Sequence, residues 1–141
     1  RIKDILVLSN GEKIPPADME MAITLDPLIE QVMVVGEGKP YLGALAVLNP
    51  DLWNGLADEY DLDPSQASSL GDERLQNALL KRIRLALRDF PGYAKIRRVG
   101  LLLEPWSIEN GLMTPTMKIK RQKVLEHCKR QVETLYGDGL V

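Results

Sequence analysis

Three cations fall within four consecutive positions, Lys118, Lys120 and Arg121, directly after a Thr114-Pro115-Thr116 turn. Proline has a fixed φ and no N–H to donate, and a lysine ammonium is a compact charge on a flexible stem. A stiff turn followed by a lysine therefore suits a loop that aims one cation at an anion. The competing reading is a helix start that shows its charges to water. A cationic start opposes the helix dipole, which favours anions at an N-terminus, and this favours an external anionic partner. Lys120 and Arg121 read as surface or interdomain contacts around the aimed lysine.

Other candidate chemistry fails on spacing. Gly36-Glu37-Gly38-Lys39 lacks the earlier glycine of a phosphate loop and has Pro40 where Ser or Thr is needed, so it reads as a hairpin turn. The dinucleotide fingerprint fails because Tyr41 occupies the place of its third glycine. His127 and Cys128 are neighbours on a predicted helix and point about 100° apart, so they cannot act as base and nucleophile. Cys128 reads as core and His127 as surface. Asp58 and Glu59 lie in a uniformly acidic, solvated segment and are not a general acid/base pair.

Composition bounds the rest. The 141 residues, 45% hydrophobic and 27% charged, have the length and apolar content of one domain with a single core. A formal net charge of −2 excludes a strongly basic nucleic-acid binder, so any anion site is local and nucleic acid is not an expected partner. One cysteine and one histidine leave no intramolecular disulfide and no tetrahedral N/S zinc set, hence no metal site and a reducing compartment. No stretch approaches the roughly 18 apolar residues of a membrane span, so a cytoplasmic, at most membrane-peripheral, location is expected. The sequence starts at Arg1 inside a strand-like run with no initiator methionine, which points to a piece of a longer chain.

The elements that must position the loop follow from periodicity. Ile5 to Leu8 and the Ser9-Asn10-Gly11 turn predict an N-terminal hairpin, and Pro15-Pro16 open a helix whose Met19, Ala22 and Ile23 share a face. Residues 28–35 and 42–48 read as an antiparallel hairpin. Residues 51–63 form a short amphipathic helix through Leu52, Trp53, Leu56 and Tyr60, and 64–71 form an exposed connection. Asp72 to Phe90 is the clearest helix, stopped by Pro91-Gly92. Val99, Leu101 and Leu103 alternate as a third strand, and one last amphipathic helix runs through Val124, Leu125, Cys128, Val132 and Leu135. The fold class is α+β: a small three-stranded antiparallel sheet flanked by helices, with an N-terminal hairpin. Trp53 and Trp106 read as core or interface.

Two stretches together resemble signature motifs of the adenylate-forming superfamily, and within it bacterial long-chain fatty acyl-CoA synthetases. The first is Arg1-Ile2-Lys3-Asp4, the turn Gly11-Glu12-Lys13-Ile14 and Pro16-Ala17-Asp18-Met19-Glu20, with Asp18 in place of the motif's first glutamate. The second is Thr114-Pro115-Thr116-Met117-Lys118-Ile119-Lys120-Arg121, with Met117 in place of the usual glycine. The resemblance implies the mobile, lid-like C-terminal domain of an ATP-dependent, AMP-forming fatty acid-CoA ligase, residues 1–141, separated from a large N-terminal domain.

It further implies that Lys118 is the catalytic lysine of acyl-adenylate formation, Lys3 the hinge, and Arg1 a contact to the nucleotide ribose. Asn10, Gly11, Glu12 and Lys13 form the turn beside the pantetheine of coenzyme A, and Glu20 supports the fold. ATP, coenzyme A and the fatty acid are the implied substrates, with Mg2+ bound by the large domain. The isolated domain is expected to be inactive. Residues 81–98, with seven cations and one acid, are a candidate contact for the coenzyme A nucleotide or an acidic surface, although a solvated helix face is the favoured reading. The competing class is a stand-alone α+β module whose basic patches bind nucleic acid or an acidic partner. The lack of aromatics among the cations of 118–130 argues against it for single strands.

Overall fold

The computed structural model describes residues 5–137. Two short strands, β1 (Leu6–Val7) and β2 (Lys13–Ile14), pair antiparallel as the N-terminal hairpin. Helix α1 (Pro16–Ile23) follows, opened by a proline at its first position, where a missing N–H costs nothing. Strands β3 (Ile29–Val35) and β4 (Leu42–Leu48) form the expected antiparallel pair, with Val35 opposite Gly43 and Ile29 opposite Leu48.

Helix α2 (Pro50–Glu59) is capped by the Asn49 side chain, which accepts from the Leu52 N–H at 3.0 Å. Helix α3 (Glu73–Ala86) is capped by Asp72, whose carboxylate accepts from the Arg74 and Leu75 amides. Strand β5 (Ile96–Leu102) completes the sheet in the order β3-β4-β5, and helices α4 (Arg121–His127) and α5 (Lys129–Leu135) end the described chain.

The sheet is mixed, which corrects the expected antiparallel arrangement. β5 runs parallel to β4, with Leu42 opposite Ile96 and Val47 opposite Leu102. The reason is the connection: two helices lie between β4 and β5, and so long a helical segment carries the chain back to the starting edge as a crossover rather than a hairpin. β4 sits in the middle and every residue from Leu42 to Leu48 is buried, the continuous apolar run of a strand covered on both faces.

Alternation along the strands divides the interior into two cores. Val32, Val34, Ala44, Ala46, Val99 and Leu101 face α1, α2 and α3, whose Met19, Ile23, Trp53, Leu75, Leu79 and Ile83 are buried against them. Met33, Val35, Leu45 and Val47 face the other way, toward Trp106, Leu112, Met113, Val124, Cys128 and Leu135. Both tryptophans and Cys128 are therefore core residues, and burial pushes the Cys128 thiol above its usual range.

Three local expectations change. Residues 67–71 form a 3-10 turn rather than an open connection, and Ser69 is buried there, its hydroxyl donating to the Asp63 carbonyl at 2.7 Å. α3 ends at Ala86, before Phe90: beyond it the Arg88 and Phe90 amides bond three residues back, to Leu85 and Leu87, and Pro91 stops any continuation. The last helix is interrupted at Cys128, where φ −106° and ψ 27° separate α4 from α5. Among the described residues no helix is long and apolar enough to cross a membrane.

Candidate functional site

The Lys118 loop is a small hairpin of its own. Met113 and Ile119 form an antiparallel bridge, and the Lys120 amide donates to the Leu112 carbonyl at 2.9 Å. At the tip the Met117 amide donates to the Thr114 carbonyl (2.8 Å), and Thr114 grips Lys118 twice. Its amide donates to the Lys118 carbonyl (2.7 Å), and its hydroxyl accepts from the Lys118 amide (3.1 Å). A turn bond followed by a left-handed residue is the pattern of a three-residue hairpin loop, and Met117, at φ +66°, supplies that residue. The position where the resemblance has glycine is thus one whose backbone asks for glycine.

With its main chain held on both sides, Lys118 extends an exposed side chain, and among the described residues no carboxylate pairs with it. The loop, α1 and β3 enclose an open groove of about 950 Å³, with Lys118, Thr114 and Met117 on one wall and Glu20, Met21 and Thr24 on another. Met21 and Met117 stand 70% and 63% exposed there, apolar surface beside a cation.

Both legs of the hairpin are tied to the sheet. On the entry side Gln31 of β3 donates from Nε2 to the Trp106 carbonyl (2.9 Å) and to Met113 Sδ (3.3 Å), and its Oε1 accepts from the Trp106 amide (2.8 Å). On the exit side Arg121 meets Glu20 of α1 through two parallel bonds, Nη1 to Oε2 at 2.8 Å and Nη2 to Oε1 at 2.6 Å. Arg121, expected as a surface or interdomain contact, is held in an ion pair within the fold, with its side chain only 22% exposed. Glu20 supports the fold as expected. Its partnership with Arg121 and the anchoring role of Gln31 have no local signal, since each joins residues far apart in the chain.

The second group of expected site residues sits on the other hairpin. Asn10, Gly11, Glu12 and Lys13 are all exposed at its tip. Gly11 has φ +89°, its amide donates to the Leu8 carbonyl (2.9 Å), and Asn10 Oδ1 accepts from the Glu12 amide (2.9 Å). The hairpin is fastened to the β3–β4 turn: the Gly38 amide donates to the Val7 carbonyl and the Ser9 amide to the Lys39 carbonyl, both at 2.9 Å. The Lys118 loop and the Gly11 turn are therefore two separate projections from one folded unit. Arg1 and Lys3 lie outside the described residues.

Three of the seven cations of the basic stretch 81–98 are engaged within the fold. Arg82 forms a double bond pair with Asp26 (2.7 and 2.8 Å), Arg88 donates to the Leu85 carbonyl, and the Arg97 guanidinium lies 5.6 Å from the Tyr41 ring centroid. His127 approaches Glu104 at 3.7 Å on the surface, away from any nucleophile role.

Comparison with known proteins agrees with this architecture. The sequence matches the family described as AMP-binding enzyme C-terminal domain over residues 3–139. It is 35% identical over 138 residues to the probable acyl-activating enzyme 16 of Arabidopsis thaliana, covering 96% of this chain and 19% of that protein. It is 31% identical over 141 residues to the long-chain-fatty-acid–CoA ligase FadD15 of Mycobacterium tuberculosis, covering 97% of this chain and 23% of that one. The adenylation domain of a carboxylate reductase from Mycobacterium chelonae superposes with a TM-score of 0.80 at 27% identity, over 98% of this chain and 20% of that structure. The chain thus spans about a fifth of the length of the relatives it matches. It belongs to the family of AMP-binding enzyme C-terminal domains.

Proposed function

We propose that this chain is the mobile C-terminal domain of an AMP-forming long-chain fatty acid-CoA ligase, and that Lys118 serves its first half-reaction. In that step a carboxylate attacks the α-phosphate of ATP, forming the acyl-adenylate and releasing pyrophosphate. Two anions must approach, and negative charge builds on the phosphate oxygens. An ammonium placed between them offsets the repulsion and stabilises the developing charge without giving up a proton. The observation that carries the reading is the geometry of the loop: Lys118 has a fixed backbone and an exposed side chain at the rim of an open groove, with no carboxylate paired to it among the described residues.

The second half-reaction, attack of the coenzyme A thiol on the adenylate with loss of AMP, needs a different face of the same domain. The exposed Asn10-Gly11-Glu12-Lys13 tip is a separate projection suited to approach the pantetheine passage. Lys3 is the hinge between the two orientations and Arg1 the ribose contact. The large N-terminal domain holds ATP, Mg2+ and the acyl chain, so the isolated domain is inactive. The long-chain substrate is supported by the FadD15 relative.

The test is Lys118→Ala in the protein that carries both domains. Acyl-adenylate formation, followed by pyrophosphate release, is expected to fall by at least about 100-fold, as for loss of an electrostatic group in an acyl-transfer site. Thioester formation from supplied acyl-adenylate is expected to persist. Equal loss in both half-reactions overturns the assignment.

A further inference from the structure

We propose that Glu20 is a positioning residue for Lys118: its carboxylate sets where the lysine hairpin stands against the sheet, and so where the ammonium can reach. This rests on the reading that Lys118 serves adenylate formation. The carboxylate belongs to α1, yet it accepts hydrogen bonds from two other parts of the fold. Oε2 takes the Val34 amide of β3 at 2.7 Å, and both oxygens take the Arg121 guanidinium at 2.8 and 2.6 Å. A two-bond fork fixes orientation as well as distance, which a single contact does not.

Arg121 follows Lys118 by three residues. The intervening backbone is held to the other leg of the hairpin by the Ile119–Met113 bridge and the Lys120–Leu112 bond. The hairpin therefore moves as a unit, seated by Leu112 and Met113 in the second core and oriented by the polar ties on its legs: Gln31 on the entry side, Glu20 through Arg121 on the exit side. Thr114 shapes the tip without fixing it to the sheet. Glu20 and Arg121 have side chains only 12% and 22% exposed, so the clamp lies beneath the groove wall that carries Lys118.

The experiment uses the two-domain protein and measures both half-reactions separately. Glu20→Gln keeps the side chain's size but loses the charge and one acceptor, and Arg121→Lys keeps the charge but loses the fork. A displacement of about 1 Å at a reacting group can cost about 100-fold, so each variant is expected to slow adenylate formation by about 10- to 100-fold. The KM for ATP should stay near the parent value, and thioester formation from supplied adenylate should stay within about threefold, since the clamp does not touch the second face. The loss in the double variant should be smaller than the product of the two single losses, because both changes weaken one shared interaction.

Lys118→Ala runs alongside as the reference. If it spares adenylate formation, the reading of Lys118 has failed and the role of Glu20 falls with it. If it abolishes that step while Arg121→Lys and Glu20→Gln leave it unchanged, the positioning role alone is overturned. Equal slowing of both half-reactions, or additive losses in the double variant, also overturns it by showing a merely structural part. Should Glu20→Gln fail to fold, Arg121→Lys, a change that retains the charge, decides the matter.

Discussion

Met117 is where the lysine loop departs from the family pattern, and its backbone allows the consequence to be worked out. At φ +66° it occupies the left-handed region, which strains an L-residue by about 1–2 kcal/mol relative to glycine. Replacement by glycine relieves that strain but returns about 0.4–1 kcal/mol through the greater freedom of the unfolded chain. The side chain is 63% exposed, so deleting it forfeits only a minority of the burial energy of a methionine, on the order of 0.5–1 kcal/mol.

These contributions nearly cancel, and Met117→Gly is expected to stay within about 1 kcal/mol of the parent. Met117→Ile keeps the apolar bulk but puts a β-branched residue where such residues are outliers, and is expected to lose about 1–2 kcal/mol. Urea unfolding of this chain, followed by the fluorescence of Trp53 and Trp106, reads both. At an unchanged slope of about 2 kcal/mol/M the isoleucine midpoint should fall by roughly half to one molar, the glycine midpoint by less. An isoleucine variant as stable as the parent, or a glycine variant less stable than the isoleucine one, would falsify the claim that the turn demands a left-handed residue.

Two further outcomes concern stability. The Arg82 guanidinium, with help from the Leu28 amide, holds the Asp26 carboxyl below its ordinary value against an opposing effect of burial. The pair's stabilisation is therefore fully present above about pH 4 and is lost as pH falls through the depressed value. Asp26→Asn should be less stable than the parent at neutral pH and the gap should close in acid, as read by urea midpoints across pH. A Cβ at Gly36, where φ is +156°, would lie 2.8 Å from Leu42 Cδ2 and 3.3 Å from both Leu8 Cδ2 and the Tyr41 carbonyl. Gly36→Ala should cost about 2–3 kcal/mol by the same assay, and a neutral result would mean that this turn yields more easily than its packing implies.

Local chemistry was legible in the sequence wherever it acts over a few residues. Pro15-Pro16 opened α1, and the β-rich apolar runs 28–35 and 42–48 on either side of a Gly-rich turn placed an antiparallel pair of strands. The direction of β5 was not legible, because Val99 and Leu101 alternate identically in a parallel or an antiparallel neighbour. Only the length of the helical connection carried the answer. At the candidate site, Thr114-Pro115-Thr116 announced a turn and Lys118 an outward cation. The Glu20–Arg121 fork spans 101 residues of sequence, and charge alone made Arg121 look like surface. The interruption at Cys128 is equally silent, since Val124, Cys128 and Leu135 keep a helical spacing across it and all are buried.

The bond from the Val34 amide to Glu20 has a consequence away from catalysis. β3 is an outer strand, and its Met33-Val34-Val35 run combines high apolarity with strong β-propensity. An outward amide on such a strand is a template on which another chain can add a strand. Here a carboxylate already occupies it, and a guanidinium holds the carboxylate in place. The same ion pair that holds Arg121 thereby keeps one outward amide of this edge strand occupied, leaving one fewer free donor on which an added strand could pair.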